Sequence, residues 1–133
     1  MNVLDSSCWL EYAADSSIGQ SVVPVVENNE WLIVPTITVY EVYKKLRSMR
    51  DEVYANQFVQ QMRRGQIVPL DEALSIQAAD ISRQYKLPMA DSIIYATAQQ
   101  CQAVIWTADQ HFEHLPQVRY FDKKQSDIES RKS

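Results

Sequence analysis

Four carboxylates stand where a short apolar run gives way to a helical pattern. Asp5 follows Met1-Asn2-Val3-Leu4, and Glu41 follows Trp31-Leu32-Ile33-Val34-Pro35 after a threonine-rich step. Asp91 opens the apolar stretch Ser92-Ile93-Ile94-Tyr95-Ala96, and Asp109 follows Val104-Ile105-Trp106-Thr107. A parallel sheet places all such junctions at one edge, where ligands bind. Acids far apart in sequence would then converge, and clustered carboxylates repel unless a proton or cation compensates them. The chemistry implied is a divalent-metal site. Hard oxygen ligands suit Mg2+ or Mn2+.

Each acid also has a purely structural reading. Asp5, Ser6 or Ser7 could cap a helix. Thr38 to Glu41 fits a capping box, with Glu41 reaching back to the Thr38 amide. Asp91 follows Pro88 in a first turn, where negative charge complements the helix dipole. Thr107 could cap the turn that carries Asp109. The joint pattern favours a site, because capping alone gives no reason for four acids to share one edge. Ser6, Ser7 and Thr107 lack a His partner for nucleophilic catalysis but could support the site by orienting water or an acidic neighbour. His111 and His114, spaced i, i+3, could ligate a metal, but no third His or Cys joins them and they read rather as exposed helix residues. Trp9, Trp31 and Trp106 read as core or interface residues.

Strand-like runs at 1–5, 31–34, 66–70, 103–106 and 118–121 must position these groups. Between them lie helical patterns at 39–49, 71–85 and 90–101, with others at about 8–14, 18–28 and 51–64. The 90–101 helix is apolar on most sides and is expected to be central. Alternating strands and helices predict an α/β fold with a central, mainly parallel sheet of about five strands. One domain is expected over 1–133, with a frayed polar tail from Lys123.

Composition removes several classes of function. The chain has 133 residues and a 46% hydrophobic fraction, enough for a globular core. Two glycines exclude glycine-rich nucleotide and phosphate loops, and there is no GxSxG elbow. Cys8 and Cys101 form no metal motif and read as reduced thiols. The apolar runs are too short to span a membrane, and Asp5 falls too early for a signal peptide, so a cytosolic location without membrane contact is expected. The net charge is −4, yet Tyr40 to Arg64 carries six bases against three acids. The default reading of these bases is a solvated helical face, and the alternative makes Lys44, Lys45, Arg47 and Arg50 candidates for phosphate contact.

Taken in order, these segments resemble the PIN-domain ribonucleases. Met1-Asn2-Val3-Leu4-Asp5-Ser6-Ser7 resembles their opening strand and motif, and Val34-Pro35-Thr36 through Glu41 their glutamate segment. Leu87-Pro88-Met89-Ala90-Asp91-Ser92 and the apolar run after it resemble their central acidic helix. Ile105-Trp106-Thr107-Ala108-Asp109-Gln110-His111-Phe112 resembles the element after their fourth strand. The resemblance covers about 1–121, and its order and length are nearest to VapC-type toxins of toxin–antitoxin pairs.

It implies an α/β/α sandwich and Mg2+- or Mn2+-dependent endonucleolytic cleavage of RNA. It also implies a small cognate antitoxin and a homodimer or toxin–antitoxin hetero-oligomer. Asp5, Glu41, Asp91 and Asp109 match the family's catalytic acids. Asp5 and Asp91 are the expected direct metal ligands, with Asp109 binding directly or through water. Glu41 is expected to help hold metal or position the attacking water. Where some members carry a further acid, this chain has Gln110 and His111, which leaves one metal or two open. Rival readings are a non-catalytic PIN-like module that binds RNA or protein, and an RNA-processing nuclease without an antitoxin. A haloacid-dehalogenase-type phosphatase is disfavoured because Ser7 stands where its second Asp is needed. A receiver domain is disfavoured because its acidic pair and late-strand Lys are missing.

Overall fold

Residues 1–124 are described by a computed structural model of the chain. The expected frayed tail lies, from residue 125 onward, outside the described residues. The strands are β1 (Asn2–Leu4), β2 (Leu32–Pro35), β3 (Gln66–Val68), β4 (Val104–Thr107) and β5 (Val118–Tyr120). The helices are α1 (Ser6–Ala13), α2 (Ser17–Glu27), α3 (Thr36–Met49), α4 (Glu52–Met62), α5 (Glu72–Tyr85) and α6 (Met89–Gln100). All strand pairs are parallel, in the order β3-β2-β1-β4-β5.

The strands are short, and the central ones, β1, β2 and β4, are mostly buried apolar residues, as sheets covered on both faces require. Side-chain alternation divides the core into two layers. Val3, Ile33 and Ile105 pack with residues of α5 and α6, including Leu74, Ile81, Ile94 and Phe112 of the turn after β4. Leu4, Leu32 and Val34 pack the other way, against Trp9, Val22, Val42, Leu46 and Met62 of α1 to α4. The result is an α/β/α sandwich. No helix among the described residues is long and apolar enough to cross a membrane.

Local chemistry starts most helices. Asp5, Ser16, Asp51 and Asp71 each cap a helix by accepting a backbone N–H three residues on. The capping box expected at Thr38 and Glu41 is absent. Pro35, with φ fixed at −63°, takes the N-cap position, so α3 begins at Thr36. Thr38 then lies inside the helix, fully buried, and Glu41 is too far along to reach the first orphan amides.

At the opposite side of the fold, α1 and α2 meet at Gly19. A Cβ there would lie 2.1 Å from the Glu11 carbonyl oxygen, so only glycine permits this approach. Trp9 is fully buried as expected, but Trp31 is 54% exposed in a 3-10 turn before β2.

The site depends on strand order. β1 is central, with β2 on one side and β4 on the other. The chain runs from β1 outward to β2 and β3, then returns to place β4 against β1's free edge. Open α/β sheets form a crevice at the carboxyl ends of two such strands. Asp5 leaves β1 and Thr107 ends β4, and the Asp5 N–H donates to the Trp106 carbonyl at 3.1 Å.

Candidate metal centre

Asp5 forms the floor of the crevice. It is 2% exposed and caps α1 through its own carboxylate. Its Oδ1 accepts from the Ser7 hydroxyl at 2.6 Å and the Cys8 N–H at 3.2 Å. Its Oδ2 accepts from the Thr107 hydroxyl at 2.9 Å. Burial pushes its carboxyl up from 3.8 to about 6, against the pull of those three donors, and the Asp109 charge adds to the rise.

Thr107 ties the two strand ends together. Its hydroxyl donates to Asp5 and accepts the Asp109 N–H at 2.9 Å. Ser7 does the same a step away, donating to Asp5 and accepting the Ala108 N–H at 2.9 Å. The expected Thr107 cap is corrected here: Asp109 itself caps the following 3-10 turn by accepting the His111 N–H at 2.9 Å. That short turn offers no helical first turn for Thr107 to cap.

Asp91 enters from the first turn of α6. Its side chain is 13% exposed, against 28% for Asp109. Burial, first, and the neighbouring Asp109 push Asp91 up to about 7, while His111 draws it down. His111 Nδ1 lies 2.9 Å from Asp91 Oδ2 and 3.0 Å from Asp109 Oδ1. Among the described residues, Asp91, Asp109 and His111 each offer one donor atom within 4.8 Å of the others. The Asp109 charge, above all, raises the imidazole's pKa.

Asp5 and Glu41 lie outside this trio. The charge of Asp5 still reaches Asp91, and that of Asp109 reaches Asp5. Glu41 accepts from the Ser6 hydroxyl at 2.6 Å, so α1 fixes its carboxylate across 35 residues of sequence. The donor set fits a hard divalent cation: two facing carboxylates with a third buried close by, and among the described residues no Lys or Arg ion pair to any of the three.

The structure adds to the sequence expectations in three places. His111 is exposed as expected, yet its ring reaches two carboxylates, Asp109 beside it and Asp91 from 20 residues away. Ser7, expected with Ser6 and Thr107 to orient water or an acidic neighbour, holds Asp5 as directly as Thr107 does. Lys123 and Lys124, assigned to the tail, line a cleft of about 760 Å³ with Ser7, Asp109, His111 and Tyr120. His114, by contrast, is 91% exposed, as expected.

The bases proposed for phosphate contact lie on the exposed side of α3. Arg47 pairs with Glu52 at 3.1 Å, and the Arg50 guanidinium stacks over Tyr54 at 4.6 Å. Lys44 lies 5.6 Å from the Tyr40 ring centre, and Lys45 is exposed. At 1.5 Å per residue, Lys44 is about one turn beyond Glu41 and Arg50 more than two.

Fold and site together define a doubly wound α/β/α domain with an acidic crevice at the carboxyl edge of its sheet. The sequence matches the PIN domain family over residues 3–118, and the chain belongs to that family. No curated protein matches it in sequence. Among solved structures it is similar to a toxin–antitoxin complex from Klebsiella pneumoniae, at 18% identity and TM-score 0.77, covering 90% of this chain and 96% of that one. DNA-bound VapBC from Salmonella typhimurium is similar at 17% identity and TM-score 0.69, covering 91% and 98%. FitAcB from Neisseria gonorrhoeae is similar at 20% identity and TM-score 0.64, covering 92% and 97%.

Proposed function

We propose that this protein is a metal-dependent endoribonuclease and the toxin of a toxin–antitoxin pair in the cytoplasm. The observation that carries the reading is the meeting of Asp91 and Asp109 with His111 above the buried Asp5. The pair assignment draws on likeness to structures described as toxin–antitoxin complexes. A small cognate antitoxin is the partner in this reading, with the chain forming a homodimer or a hetero-oligomer with it.

Asp91 and Asp109 would hold the cation, Mg2+ or Mn2+, and Asp5, expected as a direct ligand, would support it from outside the Asp91, Asp109 and His111 trio. Each carboxylate oxygen has two acceptor directions, so Asp5 Oδ2 keeps one free beside its bond to Thr107. When bound, the cation supplies Lewis acidity and charge compensation at the phosphoryl oxygens. Glu41, held by Ser6, orients the attacking water and takes its proton. The water oxygen bonds to phosphorus as the bond to O3′ breaks. The products are a 5′-phosphate and a 3′-hydroxyl. Lys44, Lys45, Arg47 and Arg50 position the RNA backbone without reading bases.

The test is cleavage of structured RNA by the purified chain with Mn2+, with EDTA, and in the Asp91→Asn variant. Cleavage confined to the wild type with metal supports the proposal. Equal cleavage by Asp91→Asn, or none by the wild type under Mg2+ or Mn2+, ends it.

A further inference from the structure

His111 stands beside both carboxylates of the crevice, where a proton on its ring gives an ion pair and a lone pair gives a metal ligand. One nitrogen, Nδ1, faces two carboxylate oxygens at 2.9 and 3.0 Å. That nitrogen carries at most one proton, so it cannot make a good linear hydrogen bond to both. The backbone holds this arrangement in place, because the His111 N–H is bonded to the same Asp109 carboxylate.

The separations fit another role. Donor atoms about 2.1 Å from an octahedral cation lie about 3.0 Å apart at neighbouring corners. The two N···O distances match that edge as well as they match a hydrogen bond, and the whole trio lies within 4.8 Å. The imidazole can keep its proton on Nε2 toward solvent, since its side chain is 57% exposed. Nδ1 is then free to donate its electron pair.

We infer that His111 is a nitrogen ligand of the centre, and that it biases the site toward Mn2+ over Mg2+. The inference rests on the metal-dependent reading above and deepens it. Imidazole binds transition-metal ions well, whereas Mg2+ favours oxygen ligands and gives up its waters reluctantly. A site with only the acids would discriminate less. The chain has two histidines, so nitrogen coordination can be assigned without ambiguity.

The experiment is pulsed EPR of the Mn2+-loaded full chain, with calorimetric titration of Mn2+ and Mg2+. Electron spin-echo modulation from a directly bound 14N is expected in the wild type and in His114→Ala. It is expected to change to the 15N pattern on 15N-histidine labelling and to vanish in His111→Ala. The same variant should lose Mn2+ affinity about tenfold, the low end for perturbing a ligand sphere, while Mg2+ affinity stays within about twofold. His111 is exposed and outside the core, so the variant keeps its fold. Mn2+ binding that requires Asp91 but shows no nitrogen coupling overturns this inference and leaves the nuclease reading standing. Failure of the wild type to bind Mn2+ overturns both.

Discussion

Replacing Asp5 with Asn should stabilise the fold at neutral pH while abolishing activity. The buried carboxyl is raised from 3.8 to about 6, chiefly by desolvation. A shift of about two units corresponds to about 3 kcal/mol favouring the neutral form in the folded state. The folded protein thus holds this proton more tightly than the unfolded chain does. The stability contribution is intact below about pH 4 and is lost as pH rises through about 6. An Asn side chain carries no charge to desolvate. Its Oδ1 can keep the bonds from Ser7 and Cys8, but its Nδ2 meets a Thr107 hydroxyl that formerly donated, at a cost of about 1 kcal/mol. Relative to wild type, Asp5→Asn should be about 1 kcal/mol less stable at pH 4 and about 2 kcal/mol more stable at pH 7.5. The assay is urea unfolding with EDTA present, followed by tryptophan fluorescence across that pH range. Comparing the two proteins at each pH cancels the titration of most other groups. A stability difference that is flat with pH, or that swings the opposite way, refutes the argument that Asp5 is a desolvated charge awaiting compensation.

Ser6→Ala frees the Glu41 carboxylate from its 2.6 Å bond. It should lower the cleavage rate about tenfold, the equivalent of about 1.4 kcal/mol, with divalent-metal affinity unchanged by calorimetry. Charge reversal of both Lys44 and Lys45 should weaken RNA binding and flatten its salt dependence by about 0.7 in slope for each lost phosphate contact. Filter binding at several salt concentrations measures this, and an unchanged slope means α3 does not touch the backbone. Gly19→Ala would drive a methyl group into the Glu11 carbonyl and should cost about 3 kcal/mol in urea unfolding, at the upper end for overpacking.

Much of the fold was legible because its strands are short apolar runs bounded by capping residues. Asp71 and the run at 66–70 each implied the element they now belong to. Parallel pairing followed from the alternation of strands with helices. The order β3-β2-β1-β4-β5 did not, because β1 gains β4 only through contacts separated by about a hundred residues. Asp5, Asp91 and Asp109 could be nominated as candidates because each sits beside an element boundary.

The errors have a common origin. The capping box at Thr38 was a local rule overridden by Pro35 one turn earlier. His111 has one acid, Asp109, beside it in sequence, whereas the second, Asp91, arrives on a different helix. Lys123 and Lys124 looked like tail because nothing local links them to a cleft beside Asp109. Each depends on where one element docks against another, which periodicity and capping patterns do not encode.

Crystals of the full chain equilibrated with Mn2+ and measured at the manganese absorption edge test the central claim most directly. The account predicts an anomalous peak within about 2.5 Å of carboxylate oxygens from both Asp91 and Asp109. Saturating Mn2+ with no peak in that crevice, or with peaks only elsewhere on the surface, would contradict it.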